Sequence, residues 1–181
     1  MPASDAKKKV SHAEPVVNER SLHKEVLVPS PIERVWWGWT TSEGMASWWA
    51  KESWIDLKIG GPYELYFLLD QPRGWQGGEG CRVLSYLPPE MLSFSWNFPP
   101  EIPEIRFEHT WVVLRFARVA RSETRVVFDQ LGWKQGPAWD AGWKYFDQAW
   151  GRVLERLRTV LPKAGEGAAP RRSTPPRQAR H

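Results

Sequence analysis

The spacing of apolar positions predicts one long helix and a run of strands. Over residues 137–161 the apolar residues fall at Trp139, Trp143, Phe146, Trp150, Val153, Leu154, Leu157 and Leu161, steps of three and four that trace one face of a helix. Asp140, Lys144, Asp147, Arg152, Glu155 and Arg158 hold the opposite face, and Pro162 and Gly165 mark the stop. At about 1.5 Å per residue this helix is roughly 37 Å long, enough to cross a sheet. Upstream the period changes to two. Leu92, Phe94 and Trp96 alternate with Ser93, Ser95 and Asn97, the pattern of a half-buried strand. Further strands are expected at residues 22–29, 53–59, 63–69, 81–87, 107–116 and 124–131, the last two joined by a polar turn at 120–122. Mostly consecutive and close together, they favour an antiparallel meander.

Two short helices are expected between the first and second strands. Ser30-Pro31-Ile32-Glu33 reads as a capping box, with Ser30 at the N-cap, Pro31 at the first helical position and Glu33 two residues on. Thr41-Ser42 then caps a second helix ending near Trp48-Trp49. Neither can bury its apolar face alone. The expected class is α+β: a seven-stranded antiparallel sheet wrapped around the long C-terminal helix. Residues 21–161 form the domain, and residues 1–20 and 162–181, poor in anything to bury, are expected to stay disordered.

Composition changes this picture at three points. With 181 residues the chain has room for one sizeable core and little for a second. Thirteen tryptophans are many, and only Trp75 lies well outside a periodic segment, so most belong in the core or a cavity wall. The net charge of +4 resides in the tails: residues 1–20 carry +1 and 162–181 carry +4, leaving −1 for the domain. Nucleic-acid binding is therefore expected at most weakly, through the tails. No apolar run approaches the ~18 residues of a membrane span. Lys7-Lys8-Lys9 has no apolar segment behind it, so no secretion signal is expected, and a lone cysteine, Cys81, fits a reducing cytoplasm.

In a meander, alternate connections share an end of the sheet. The connections at Gly60-Gly61, at Pro88-Pro89 and at 118–123 are compact; those at 71–79, 97–106 and 132–136 share the other end and include the two longest. Long loops gathered at one end of a scaffold commonly form a binding mouth. Alternation turns Tyr63, Leu65, Phe67, Leu92, Phe94, Trp96, Val112, Leu114, Val126, Phe128 and Gln130 inward, and Trp139 and Trp143 bring the start of the long helix beside the mouth. The expected cavity wall or mouth is Tyr63, Leu65, Phe67, Trp75, Phe94, Trp96, Val112, Phe128, Gln130, Trp139, Trp143 and Phe146. Tyr63, Trp96 and Gln130 carry the sparse polar groups that would orient an apolar ligand, unless each satisfies a local hydrogen bond in a filled core.

Catalytic signals are weak. His12 and His181 lie in the tails, and neither His23 nor His109 has a ligand at metal spacing, so neither metal nor cofactor is expected. Cys81 reads as an inert buried thiol. His109, beside a mouth loop, is the best lone acid–base candidate, although a single histidine is more often structural.

The local words VPSPIERVWWGWTTSEGMASWWA, IGGPYELYF, GCRVLSYLPPEMLSFSW and TRVVFDQLGW resemble those of the activator-of-heat-shock-protein-ATPase homologue-like (AHSA-like) domains of the START-like, or SRPBCC, helix-grip superfamily. The resemblance covers residues 22–161; Pro31, Val35-Trp36, Trp48-Trp49, Gly60-Gly61 and Pro88-Pro89 fall in the expected order, while tryptophans 37, 39, 139, 143 and 150 are heavier than the usual pattern. It implies a cavity between sheet and helix, and three functions. The first is non-catalytic binding of a small hydrophobic or aromatic molecule. The second is a co-chaperone-like contact with a chaperone or other protein, tied to stress response. The third is a cyclase or dehydratase using His109, Tyr63 and Gln130.

Overall fold

The structure, a computed structural model, describes residues 20–163. Elements follow in the order β1 (Leu22–Val28), α1 (Ile32–Thr40), α2 (Ser42–Trp48), β2 (Glu52–Ile55), β3 (Tyr63–Tyr66), β4 (Val83–Leu87), β5 (Met91–Asn97), a single 3-10 turn (Pro103–Ile105), β6 (His109–Ala120), β7 (Glu123–Leu131) and α3 (Pro137–Val160). The antiparallel meander is present from β4 to β7, and β1 adds to its far edge, giving the order β1-β7-β6-β5-β4. The expected single seven-stranded sheet is corrected in one respect: β2 and β3 form a separate two-stranded sheet. At the seam Pro62 meets Arg82 in a lone bridge, and past it the glycine-rich loop takes the place of a partner strand, Gly78 N–H donating to the Leu65 carbonyl at 2.7 Å and Gly77 bridging to Tyr66. Bonds from Tyr63 N–H to the Cys81 carbonyl and from Val83 N–H to the Gly61 carbonyl, both 2.9 Å, keep the two sheets adjoining.

The start of α1 also differs from expectation. Pro31 holds the cap position, no side chain caps the helix, and the Pro31 carbonyl accepts the N–H groups of Arg34 and Val35. Ser30 is buried, and its carbonyl accepts the Thr124 hydroxyl at 2.8 Å, so this segment is tied to β7 instead. At α2 the expectation is met: the Thr41 hydroxyl oxygen accepts Gly44 N–H at 2.9 Å.

Alternation along the meander aims one side of it at the helices. Leu92, Phe94 and Trp96 on β5, Val112 and Leu114 on β6, and Val126, Phe128 and Gln130 on β7 are buried, in a register pairing Phe94 with Val112 and Leu114 with Phe128. On α3 the buried residues are Trp139, Gly142, Phe146, Trp150, Leu154 and Leu157, with Trp143 and Val153 half-buried at the stripe's margin. This helix lies against β1 and touches α2 and the 3-10 turn. Trp39, Trp48 and Trp150, each no more than 1% exposed, fill the space between sheet and helices. Full burial of a side chain this large stabilises the fold by about 2–3 kcal/mol.

Of the two tails expected to be disordered, residues 1–19 and 164–181 lie outside the described residues. Arg20, the first described residue, pairs its guanidinium with Asp140 and sits 4.8 Å over the Trp143 ring. Among the described residues no helix is long and apolar enough to cross a membrane.

Candidate functional site

Beside the packed interior a cleft of about 380 Å³ opens between α3, the 97–101 segment and the loop that follows β3. Its floor is aromatic. Trp49 follows α2 directly, Trp96 is the last inward residue of β5, and Trp150 and Phe146 stand one helical turn apart on α3. Their rings interlock: Trp49–Trp96 at 6.1 Å between centroids, Trp49–Trp150 at 5.6 Å, Trp96–Trp150 at 5.5 Å and Phe146–Trp150 at 6.3 Å. Phe98, leaving β5, closes one end, 5.7 Å from Phe146. Gly142 permits this, since a Cβ there would stand 2.5 Å from the Phe98 ring.

A buried relay fixes the floor in place. Trp150 Nε1–H donates to Gln130 Oε1 at 2.9 Å, Gln130 Nε2–H donates to the Thr110 hydroxyl at 2.8 Å, and that hydroxyl donates to the Trp96 carbonyl at 3.0 Å. Helix α3 and strands β7, β6 and β5 are thereby joined in one chain of dipoles.

A second cluster joins the mouth loops. The Arg106 side chain is fully buried and donates to the carbonyls of Phe98 and Gly77, the latter at 2.7 Å. Asn97 Nδ2 donates to the carbonyls of Gly77 and Glu79 at 3.1 and 2.9 Å. The Glu79 carboxylate accepts the N–H groups of Gly74 and Gln76, each at 2.6 Å, and lies 3.7 Å from the guanidinium. The loop's glycines allow close approach: a Cβ on Gly78 would stand 2.9 Å from the Trp96 ring. The two longest connections therefore do meet at the cleft, as parity requires, whereas none of residues 132–136 lines it.

Charge is confined to the rim. Glu101, Arg152 and Arg156 border the cleft, and among the described residues none of the three is in an ion pair. Arg156 Nε–H donates to the Trp48 carbonyl, which holds its guanidinium at the rim. Tyr145 stands beside them, its phenol pushed up by burial and by Glu101, with Arg152 opposing.

Of the residues expected at the wall or mouth, Phe67, Trp96 and Phe146 line this cleft. Phe67 is 42% exposed and forms rim rather than interior. Tyr63, Leu65, Phe94, Val112, Phe128 and Gln130 are packed in the core; the Tyr63 hydroxyl donates to the Trp39 carbonyl at 2.8 Å and its ring stacks on Phe94 at 4.2 Å. Trp139 packs on Phe98 at 5.0 Å behind the wall, Trp143 lies under Arg20, and Trp75 packs edge-on against Phe107. Sequence reasoning missed Trp49, Phe98, Tyr145, Arg152 and Arg156. Trp49 carries a signal, as an aromatic directly past a helix end; periodicity alone puts Arg152 on the face of α3 opposite the apolar stripe.

His109 sits at the start of β6, half-buried, its imidazole held below the ordinary range by burial and by Arg106, with Glu108 opposing. It does not border the cleft. Burial pushes the Cys81 thiol up to about 12, an unreactive group at neutral pH. No group of three or more His, Cys, Asp or Glu among the described residues is placed to hold a metal ion.

The chain belongs to the activator of Hsp90 ATPase homolog 1-like protein family, whose model matches residues 29–162. Its helix-grip fold recurs in solved structures. A protein from Mesorhizobium loti superposes with a TM-score of 0.63 at 19% identity, covering 80% of this chain and 98% of that one. A protein from Bacillus halodurans gives 0.57 at 25% identity over 78% and 96% of the two chains. The Aha1 dimer from Colwellia psychrerythraea gives 0.57 at 18% identity over the same shares. No curated protein matches the sequence.

Proposed function

We propose that this chain is a binding domain that takes a small, predominantly apolar molecule in the lateral cleft beside α3, without transforming it. The observation that carries this reading is the cleft itself: about 380 Å³ of space floored by Trp49, Trp96, Phe146 and Trp150. Concave aromatic surface bordered by a few polar groups is the usual make-up of a small-molecule site. The family's fold commonly hosts ligands or proteins, which agrees with this reading without naming a ligand.

Of the groups considered for acid–base work, Tyr63 and Gln130 are committed to hydrogen bonds within the core, and His109 stands apart from the cleft. That distribution favours binding over a cyclase or dehydratase reaction. Contact with a chaperone remains the second reading, suggested by the family and by the likeness to an Aha1 dimer.

Calorimetric titration of the full chain with naphthyl ethanol, a neutral bicyclic probe, tests the proposal. Saturable binding is expected in the wild type. Ala149→Phe, which places a ring in the cleft from α3, should weaken it at least tenfold. Absent heats in the wild type, or unchanged affinity in Ala149→Phe, would overturn the reading.

A further inference from the structure

The apolar floor and the charged rim of the cleft are arranged asymmetrically. Arg152 and Arg156 project from one wall, four residues apart on α3 and so on one face, with Cβ atoms about 6 Å apart. The third arginine of this helix, Arg158, is engaged by Glu155 through two hydrogen bonds. The two that border the cleft have no carboxylate partner among the described residues. Arg156 is moreover fixed by its Nε–H on the Trp48 carbonyl, which leaves both terminal nitrogens available in a set position. A guanidinium held in place loses little entropy when it meets a planar anion. Glu101, the negative group of the lining, stands on the loop segment rather than on α3.

We infer that the ligand of this cleft is a carboxylate: a small aromatic or branched apolar acid whose body lies on the Trp49, Trp96 and Trp150 rings and whose anionic end is held by Arg152 and Arg156. This rests on the cleft being a binding site and specifies the chemistry it selects. The two charges fix polarity as well as class. Glu101 repels the anionic end and the arginines attract it, so the acid enters body first with its carboxylate at the α3 rim. One anionic group matches the site: its single basic wall is short and the remainder of the floor is hydrocarbon, which suits neither a polyphosphate nor a sugar.

The test is a pair of matched probes, naphthaleneacetate and naphthyl ethanol, titrated into the full chain at low salt. The wild type is expected to bind the acid about tenfold more tightly than the alcohol, the scale of a charge-assisted contact at a partly exposed rim. The double variant Arg152→Gln/Arg156→Gln should bring the two probes within about twofold of each other. Because Arg156→Gln also removes a bond to α2, the exposed Arg152→Gln alone provides a second reading, with about a threefold loss of preference for the acid. Equal binding of both probes by the wild type would overturn the carboxylate assignment and leave the binding site standing. So would a preference for the acid that survives in the double variant, since the anion would then be recognised elsewhere. Failure of both probes to bind would overturn the site itself and this inference with it.

Discussion

Gln130→Leu should destabilise the fold by about 2 kcal/mol, and the figure follows from the relay it interrupts. Gln130 is wholly buried and Trp150 is 1% exposed. Replacing the amide leaves the Trp150 indole N–H without an acceptor in a site water does not reach, a cost of about 1–3 kcal/mol. Thr110 keeps its donation to the Trp96 carbonyl and loses only the bond it accepts, about 0.5–1 kcal/mol. Leucine has nearly the same volume and no amide to desolvate, an offset of about 1 kcal/mol. Trp150→Phe on its own orphans Gln130 Oε1 and opens space on the cleft floor, for about 2–3 kcal/mol. In the double variant the indole and the amide are both gone, so its loss should fall short of the sum of the singles by about 1–2 kcal/mol. Urea unfolding followed by far-UV circular dichroism measures all four corners of the cycle. Additivity within about 0.3 kcal/mol, or a Gln130→Leu cost below about 0.5 kcal/mol, would refute the relay as a structural element.

Three further expectations follow from other parts of the molecule. Arg106→Met should cost about 3 kcal/mol, because the Phe98 carbonyl loses a charged donor and Glu79 its buried cation; faster hydrogen exchange at Gly74 and Gln76 would be its local mark, and an unchanged pattern there would count against the loops being tied by this residue. Gly142→Ala gains about 1 kcal/mol of helix propensity yet drives Phe98, 1% exposed, out of contact, so a net loss of about 1–2 kcal/mol is expected, and a raised urea midpoint would contradict it. For His109, burial depresses the folded-state pKa, so below about pH 6.5 the unfolded chain binds more protons than the folded one. Its contribution is therefore present above that pH and lost on acidification, and His109→Gln should flatten the fall in urea midpoint between neutral and mildly acidic pH; an identical slope in both proteins would refute the assignment.

The parts of this molecule legible in its sequence are those where burial and local geometry agree. The α3 stripe was readable because Trp139, Phe146, Trp150, Leu154 and Leu157 repeat with the helical period and are all buried. The Thr41 cap was readable because a hydroxyl just before a helix has one obvious use. The inward set on β6 and β7 followed from alternation, whereas β5, expected to be half-buried, is buried on both faces, with Ser93, Ser95 and Asn97 covered as well. The seam at Pro62 was not readable as a break, since whether two short strands join one sheet or another depends on what the loop after them does. The cleft was missed for a related reason. Alternation says which side chains point inward but not whether they meet, and thirteen tryptophans in one chain supply enough volume for Tyr63, Phe94 and Phe128 to close the interior. The cleft lies instead on the flank of α3, where Arg152, a polar-face residue by periodicity, becomes part of a wall.

The same crowding gives the protein an optical signature. Trp39, Trp48, Trp49, Trp96 and Trp150 form a continuous group with neighbouring ring centroids 5.0–6.1 Å apart. Indoles that close share their excited states, so light absorbed by one is passed among all five, and their near-ultraviolet bands couple. Three of the five floor the cleft. A molecule settling there would perturb the emission of the whole group at once, and the chain carries, unlabelled, the reporter for its own occupancy.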